Sequence, residues 1–215
     1  MKIKWLGHAS FLVTSEEGKK IITDPYSVGG GISYAPIDES ADVVTVSHGH
    51  GDHNNYRAVK GSPYVMKEEG ISKVKGIEFK GIASYHDAAK GSQRGSNIVF
   101  CFTVDGINVC HLGDLGHLLS PKQITDIGPV DIVLIPVGGY YTVDAEQATA
   151  VSQSLKANVV IPMHYKTTKC DYPISQVEEF LTGKKNVRRL AASEVEFRKE
   201  KLHEETEIVV LQHAL

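Results

Sequence analysis

The feature that most limits what this chain can fold into is the run Ser47-His48-Gly49-His50-Gly51-Asp52-His53, directly after the apolar stretch Val43-Val44-Thr45-Val46. Three imidazoles and a carboxylate fall within six residues, far denser than ten histidines scattered over 215 residues would give by chance. Imidazole nitrogen and carboxylate oxygen are donors that zinc, iron and manganese accept. The two glycines between them let the backbone turn tightly enough for neighbouring side chains to converge. A loop at the exit of a buried strand is also where a rigid scaffold presents reactive groups. The fold must therefore deliver a buried strand into a cation site.

Composition narrows the setting. With 41% hydrophobic and 23% charged residues in 215, the chain suits one large domain, residues 1–215, that buries its core without staples. A net charge of −3 offers no basic field for a nucleic acid. Cys101, Cys110 and Cys170 are odd in number, far apart and without a C-x-x-C pair. That argues against a disulfide framework or a thiolate zinc site and for a reducing compartment. No run approaches the roughly 18 apolar residues of a membrane span, and the start around Lys2 and Lys4 lacks an apolar leader core. The expectation is a cytoplasmic protein with a small-molecule substrate and no nucleic-acid or membrane partner. Its oligomeric state is not legible.

Hydrophobic rhythm predicts short strands over Lys2–Leu6, Ser10–Thr14, Lys19–Thr23, Asp42–Ser47, Ile77–Ser84, Asn97–Val104 and Asn108–Leu112, the last two joined by a turn at Asp105-Gly106. The second half alternates. Apolar runs at Asp131–Val137 and Asn158–Pro162 flank a helix near Asp144–Lys156, opened by an Asp144/Gln147 capping box. A second helix is expected from Ile174 to Leu181, stopped by Gly183. Val187, Leu190, Val195 and Phe197 are spaced as edge strands within the charge-rich stretch 184–205. Early hairpins and late strand–helix alternation imply two mixed sheets with helices outside.

Other histidines and aspartates at strand ends become candidates to complete the site. His86 follows the strand ending at Ser84, Asp114 follows the one ending at Leu112, and His164 follows Asn158–Pro162. A lone His or Asp at a strand end is more often structural than ligating. Repetition at successive strand ends beside the 48–53 motif reverses that weighting.

These residues, in this order, resemble the metallo-β-lactamase fold superfamily of metal-dependent hydrolases: the His-x-His-x-Asp-His loop at 48–53, His86, Gly113-Asp114 and His164. Gly7-His8-Ala9-Ser10-Phe11 and Thr23-Asp24-Pro25 are similar to the small branch related to ascorbate-6-phosphate lactonase. The resemblance implies an α+β, four-layer αββα sandwich with its site at the rim between the sheets. It assigns His48, His50 and His86 to a first metal, and Asp52, His53 and His164 to a second. Asp114 would bridge the two, where true β-lactamases of the superfamily often carry cysteine. Asp24 would support the ligand loop by hydrogen bonding. The implied cofactor is two divalent ions, zinc first, with manganese and iron as alternatives.

Two such ions can hold a water between them and lower its pKa towards about 7. The expected reaction is hydrolysis of an ester, lactone or phosphoester, with Asp52 ligating and orienting the nucleophile. Proton donation to the leaving group falls to His117 first, three residues past Asp114, then to His8, with His111 also near the motifs. Lys166 and Arg94 are candidate cations for an anionic substrate group, and Gly138–Thr142 a candidate backbone anion site. Tyr26, Tyr140 and Tyr141 either line a pocket or cover the core. The competing readings are a phosphodiesterase or nuclease of the same fold, a di-iron redox protein, and a metal-retaining sensor without turnover.

Overall fold

Alternating burial starts with the first strand of the computed structural model, which describes residues 1–215. In β1 (Lys2–Gly7), Ile3 and Trp5 enter one apolar cluster and Leu6 another. The division repeats at Phe11 and Val13 against Leu12 in β2 (Ser10–Thr14), and at Ile21 against Ile22 in β3 (Lys20–Thr23). Val43 and Val44 divide likewise in β4 (Val43–Thr45). Strands with period-two burial on both faces need a cover on each side, so this sheet is an inner layer.

Its remaining strands are β5 (Tyr64–Met66) and, from the C-terminal region, β13 (Glu194–Glu196), in the order β13-β1-β2-β3-β4-β5. The second sheet is built from β6 (Gly70–Val74), β7 (Ile77–Tyr85), β8 (Ser96–Val104), β9 (Ile107–His111), β10 (Ile132–Pro136), β11 (Val159–Met163), β12 (Val187–Arg189) and β14 (Glu207–Val210). Its order is β12-β14-β11-β10-β9-β8-β7-β6. Pairing is antiparallel from β6 to β9 and parallel from β9 to β12. A cluster of 47 buried residues fills the space between the sheets and continues on the far side of the larger sheet, under the helices.

Helices α1 (Pro121–Ile127) and α2 (Ala145–Leu155) pack on β7 and β10, and α3 (Val177–Leu181) packs on α2. The architecture is the α+β sandwich of two mixed sheets. Over the smaller sheet the outer layer is made by segment 24–41 and the 3-10 turn Tyr56–Ala58, with Tyr26, Ile32, Tyr34 and Ile37 filling a second cluster of 13 residues. No helix is long and apolar enough to cross a membrane.

One consequence of the strand directions places the site. In the larger sheet β7, β9, β10 and β11 all run the same way; in the smaller sheet β3 and β4 run parallel. Asp24, the 47–53 loop, His86, Asp114 and His164 each follow the C-terminal end of one of these strands, the rim where open sheets gather their ligands.

Several elements carry no periodic signal in the sequence. β5 has three residues, β6 buries only Val74, and α1 buries only Ile127, so none shows a period. α1 is held instead by a Ser120/Gln123 capping box. β14 carries its apolar run Ile208-Val209-Val210 as an inner strand beyond the charged stretch. The third helix begins at Val177, not Ile174, because Ser175 is tied to Gly138 and Lys166 by backbone hydrogen bonds. β12 and β13 are the expected edge strands, one on each sheet.

Candidate metal centre

Asp24 organises the ligand loop from below. Its Oδ1 accepts from the Ser47 backbone N–H at 2.7 Å, and its Oδ2 from the Ser47 hydroxyl at 2.5 Å and His53 Nδ1 at 2.9 Å. The Ser47 hydroxyl, having given its proton to Asp24, accepts from His48 Nδ1 at 2.9 Å. Both rings are thereby fixed with the proton on Nδ1 and the lone pair of Nε2 turned into the site. There His48 Nε2 and His53 Nε2 are buried and make no aligned hydrogen bond, and neither does Asp114 Oδ1. Buried polar atoms left this way are costly unless a ligand meets them.

Asp114 is the hub. Its Oδ2 lies 3.1 Å from His86 Nε2, 3.2 Å from His53 Nε2, 3.3 Å from His164 Nε2 and 3.9 Å from His48 Nε2. Two donors on one tetrahedral zinc ion stand about 3.3 Å apart, so these spacings are those of a coordination shell. Donors with mutual separations within 4.8 Å form three overlapping groups: His48, His50 and His86; His8, Asp52, His53 and His164; and Asp24, His48 and His53, the last with its carboxylate already engaged by Ser47 and His53. The first two groups fit a divalent cation each.

Charge favours the same occupant. Burial would raise Asp114, but His164 and His53 hold its carboxyl well below the ordinary range. Burial would lower His53, yet Asp114 and Asp24 raise it well above, so the site demands positive charge at that nitrogen. Burial, aided by His53, pushes His48 down to about 3, and burial with His164 pushes His8 down to about 4. Both are neutral at pH 7, the form in which imidazole binds metal.

The loops that deliver these groups are packed with little slack. Gly113, at φ +55°, turns against the Ser47 side chain, where a Cβ would stand 2.5 Å from Ser47 Cβ; at Gly116 it would stand 2.6 Å from Asp87 Cα. Asn97, fully buried in β8, takes the Asp114 N–H on Oδ1 at 2.9 Å and gives Nδ2 protons to the Leu112 carbonyl and Ser84 hydroxyl. Non-glycine residues in the left-handed region include His8 (φ 53°), Asp24 (φ 38°) and His164 (φ 50°).

Above the donors opens a cleft of about 300 Å³ lined by His50, Asp52, His86, Arg94, Asp114, Tyr141, His164 and Tyr172. Tyr172 donates its hydroxyl to Asp52 Oδ2 at 3.2 Å, and His8 Nε2 meets the same oxygen at 3.2 Å. Nothing in the sequence around Tyr172 announces this role beyond its place in the loop after His164. A larger cavity, about 560 Å³, lies among Asn158, Arg188, Glu196, Arg198 and Glu207 at the N-terminal ends of β11 and β14. Its arginines are paired with Glu207 and Glu196, and it gathers no donor cluster.

Other predicted residues lie elsewhere. Both ring nitrogens of His117 are engaged by backbone: Nε2 accepts from Tyr85 N at 3.2 Å, and Nδ1 gives its proton to the Leu118 carbonyl at 2.8 Å. His111 is buried between the sheets, with Nε2 on the Ala9 carbonyl and Nδ1 accepting from Gly113 N. Neither lines the cleft. Lys166 donates to the Tyr172 carbonyl at 3.0 Å, and Tyr26 is core. In 138–142 the Gly138, Gly139, Tyr141 and Thr142 N–H groups all bond to backbone carbonyls, which makes the segment a strand-to-helix turn with Tyr140 exposed.

The β-lactamase superfamily domain profile matches residues 2–164. The chain is 30% identical over 194 residues to a UPF0173 metal-dependent hydrolase of Pyrococcus furiosus, covering 78% of this chain and 85% of the relative. It is 32% identical over 196 residues to one from Pelotomaculum thermopropionicum, with the same coverage. A crystal structure of a proposed Zn-dependent hydrolase of the metallo-β-lactamase superfamily from Thermotoga maritima superposes with a TM-score of 0.82 at 38% identity, covering 98% of this chain and 99% of that one. The chain therefore belongs to the β-lactamase superfamily and, within it, to the UPF0173 metal-dependent hydrolases. It is a metal-dependent hydrolase.

Proposed function

We propose that the chain is a dinuclear hydrolase that cleaves an ester, lactone or phosphoester bond in a small, anionic metabolite. The observation that carries this reading is the sharing of one buried carboxylate, Asp114, between two separate donor groups. In it His48, His50 and His86 would hold one cation and Asp52, His53 and His164 the other, with the Asp114 carboxylate between the two donor groups. The all-nitrogen-and-oxygen donor set suits zinc, and manganese or iron as replacements. Such a pair of cations supplies a water of lowered pKa and Lewis acidity toward an acyl or phosphoryl oxygen.

The chain's own groups do the rest. Asp52, gripped by His8 and Tyr172, keeps one orientation and aims the attacking water at the cleft. Burial and the Asp52 charge hold the Tyr172 phenol well above its ordinary value, so it stays protonated and keeps its hydrogen bond to Asp52. Tyr172, whose one proton is given to Asp52, acts there as a positioning residue, and His117, with both nitrogens on backbone, does not face a leaving group. His8 acts on Asp52 as a positioning residue. The substrate class is bounded by the cleft of about 300 Å³, which suits a metabolite better than a nucleic-acid strand. We keep the single-domain, cytoplasmic assignment within this proposal, on composition and cysteine usage.

The test is elemental analysis of protein purified without chelator, together with turnover of lactones, phosphodiesters and thioesters. Two zinc ions per chain are expected, falling in Asp114→Ala together with activity. Full activity in a metal-depleted Asp114→Ala preparation would overturn the reading. Iron in place of zinc would favour the redox alternative.

A further inference from the structure

We propose that Arg94 binds an anionic oxygen group, carboxylate or phosphate, carried by the substrate away from the bond that is cleaved. The inference rests on the hydrolase reading above and adds the group that selects the substrate.

The loop between His86 and β8 is built around one carboxylate. Asp87 Oδ1 accepts the N–H groups of Ala89 at 2.7 Å and Gly91 at 2.9 Å, while Oδ2 accepts those of Gln93 at 3.0 Å and Arg94 at 2.7 Å. Gly95 N bonds back to the Gly91 carbonyl, and His86 N to the Gly95 carbonyl, which closes the loop onto a metal-ligand candidate. Arg94 therefore leaves from a backbone fixed at its own N–H. Rigid anchoring of this kind is what a positioned binding group needs and a solvated surface arginine does not.

Its guanidinium is uncommitted. No carboxylate lies within ion-pair distance of Arg94 and its side chain makes no hydrogen bond, although it is half-buried. The guanidinium carbon lies 5.5 Å from the Tyr141 ring centroid, so the aromatic face steadies the plane without using its N–H groups. Arg94 is the one lysine or arginine lining the cleft, and the other candidate, Lys166, is spent on the Tyr172 carbonyl. Five N–H donors in a fork fit a carboxylate or phosphate bidentately. With the cations loaded, two divalent charges outweigh Asp52 and Asp114, so the cleft and Arg94 present one positive field to an anion.

The experiment titrates zinc-loaded protein calorimetrically with butyrate, with malonate, succinate and glutarate, and with 3-phosphonopropionate. A monocarboxylate reports the cations alone; the second anionic group reports Arg94. At least one two-anion ligand is expected to bind about tenfold or more tighter than butyrate, the factor a charge-assisted hydrogen-bond pair gives. Arg94→Met should erase that preference and Arg94→Lys should restore only part of it, since a point charge lacks the fork. Asp87→Asn should reduce it, because an amide cannot accept all four N–H groups. A tighter phosphonate than dicarboxylate assigns phosphate; the reverse order assigns carboxylate. No preference in the unaltered protein, or one that survives Arg94→Met, would overturn the proposal. Zinc content of the same samples reports separately on the hydrolase reading.

Discussion

Asp24 touches no cleft surface, yet it sets the proton positions of two ligand rings at once, through Ser47 to His48 and directly to His53. Asp24→Asn keeps the shape and tolerates the left-handed backbone, but it turns an N–H donor toward an N–H donor at His53. Zinc affinity is expected to fall about 10–100-fold, the usual cost of losing such a partner, with little change in the circular dichroism spectrum. Unchanged affinity in a competition titration would remove Asp24 from this role. The 48–53 donors are legible in the sequence because they are dense and local. His86, Asp114 and His164 are legible only because each stands just past an apolar run. Tyr172 and Asn97 carry no such signal, since their roles come from hydrogen bonds to residues on other elements. The Asp87 loop carries none because its bonds go to backbone N–H groups, which leave no mark on side-chain type. His117 misled for the converse reason: closeness to Asp114 in sequence says nothing about which atoms its nitrogens meet.

Elements were legible where burial imposed a period and silent where it did not. β2 reads from its apolar run Phe11-Leu12-Val13, whose side chains alternate between two buried clusters, and α2 reads from its Asp144/Gln147 capping box, with both bonds of the box present in the structure. β6 and α1 hold their places through edge pairing and a cap instead of an apolar stripe, so no periodicity marks them. The cap on α2 can be weighed separately from the chemistry, because the helix lies on the outer face of the larger sheet. Asp144→Ala should cost about 1 kcal/mol in urea unfolding, the usual loss for an N-cap side chain, and leave zinc content unchanged. A lowered zinc content would mean that α2 transmits strain to the His164 loop through Gly138.

On the scale of the whole molecule, protons and metal compete for one pocket. His53 is raised well above the ordinary 6.5 by Asp114 and Asp24, against the effect of burial, so without a cation its ring holds a proton through neutrality. Metal must displace that proton, and displacement becomes harder as pH falls because proton activity rises. Apparent affinity for the zinc ion that His53 faces should therefore rise about tenfold per pH unit between about pH 6 and 8, with one proton released as that ion binds. A flat profile would show that His53 is neutral before metal arrives. Chelation should also lower the melting temperature, because bound metal stabilises only the folded state.

The positive φ angles at His8, Asp24 and His164 carry a practical consequence for engineering. Each such non-glycine residue costs on the order of 1–3 kcal/mol of backbone strain, and glycine is the substitution that relieves it most directly. At Asp24 that relief is outweighed by three buried hydrogen bonds that glycine would forfeit, so easing strain at such places trades directly against the donor cluster that the strained backbone presents. Selection on this scaffold has to score turnover alongside hardiness.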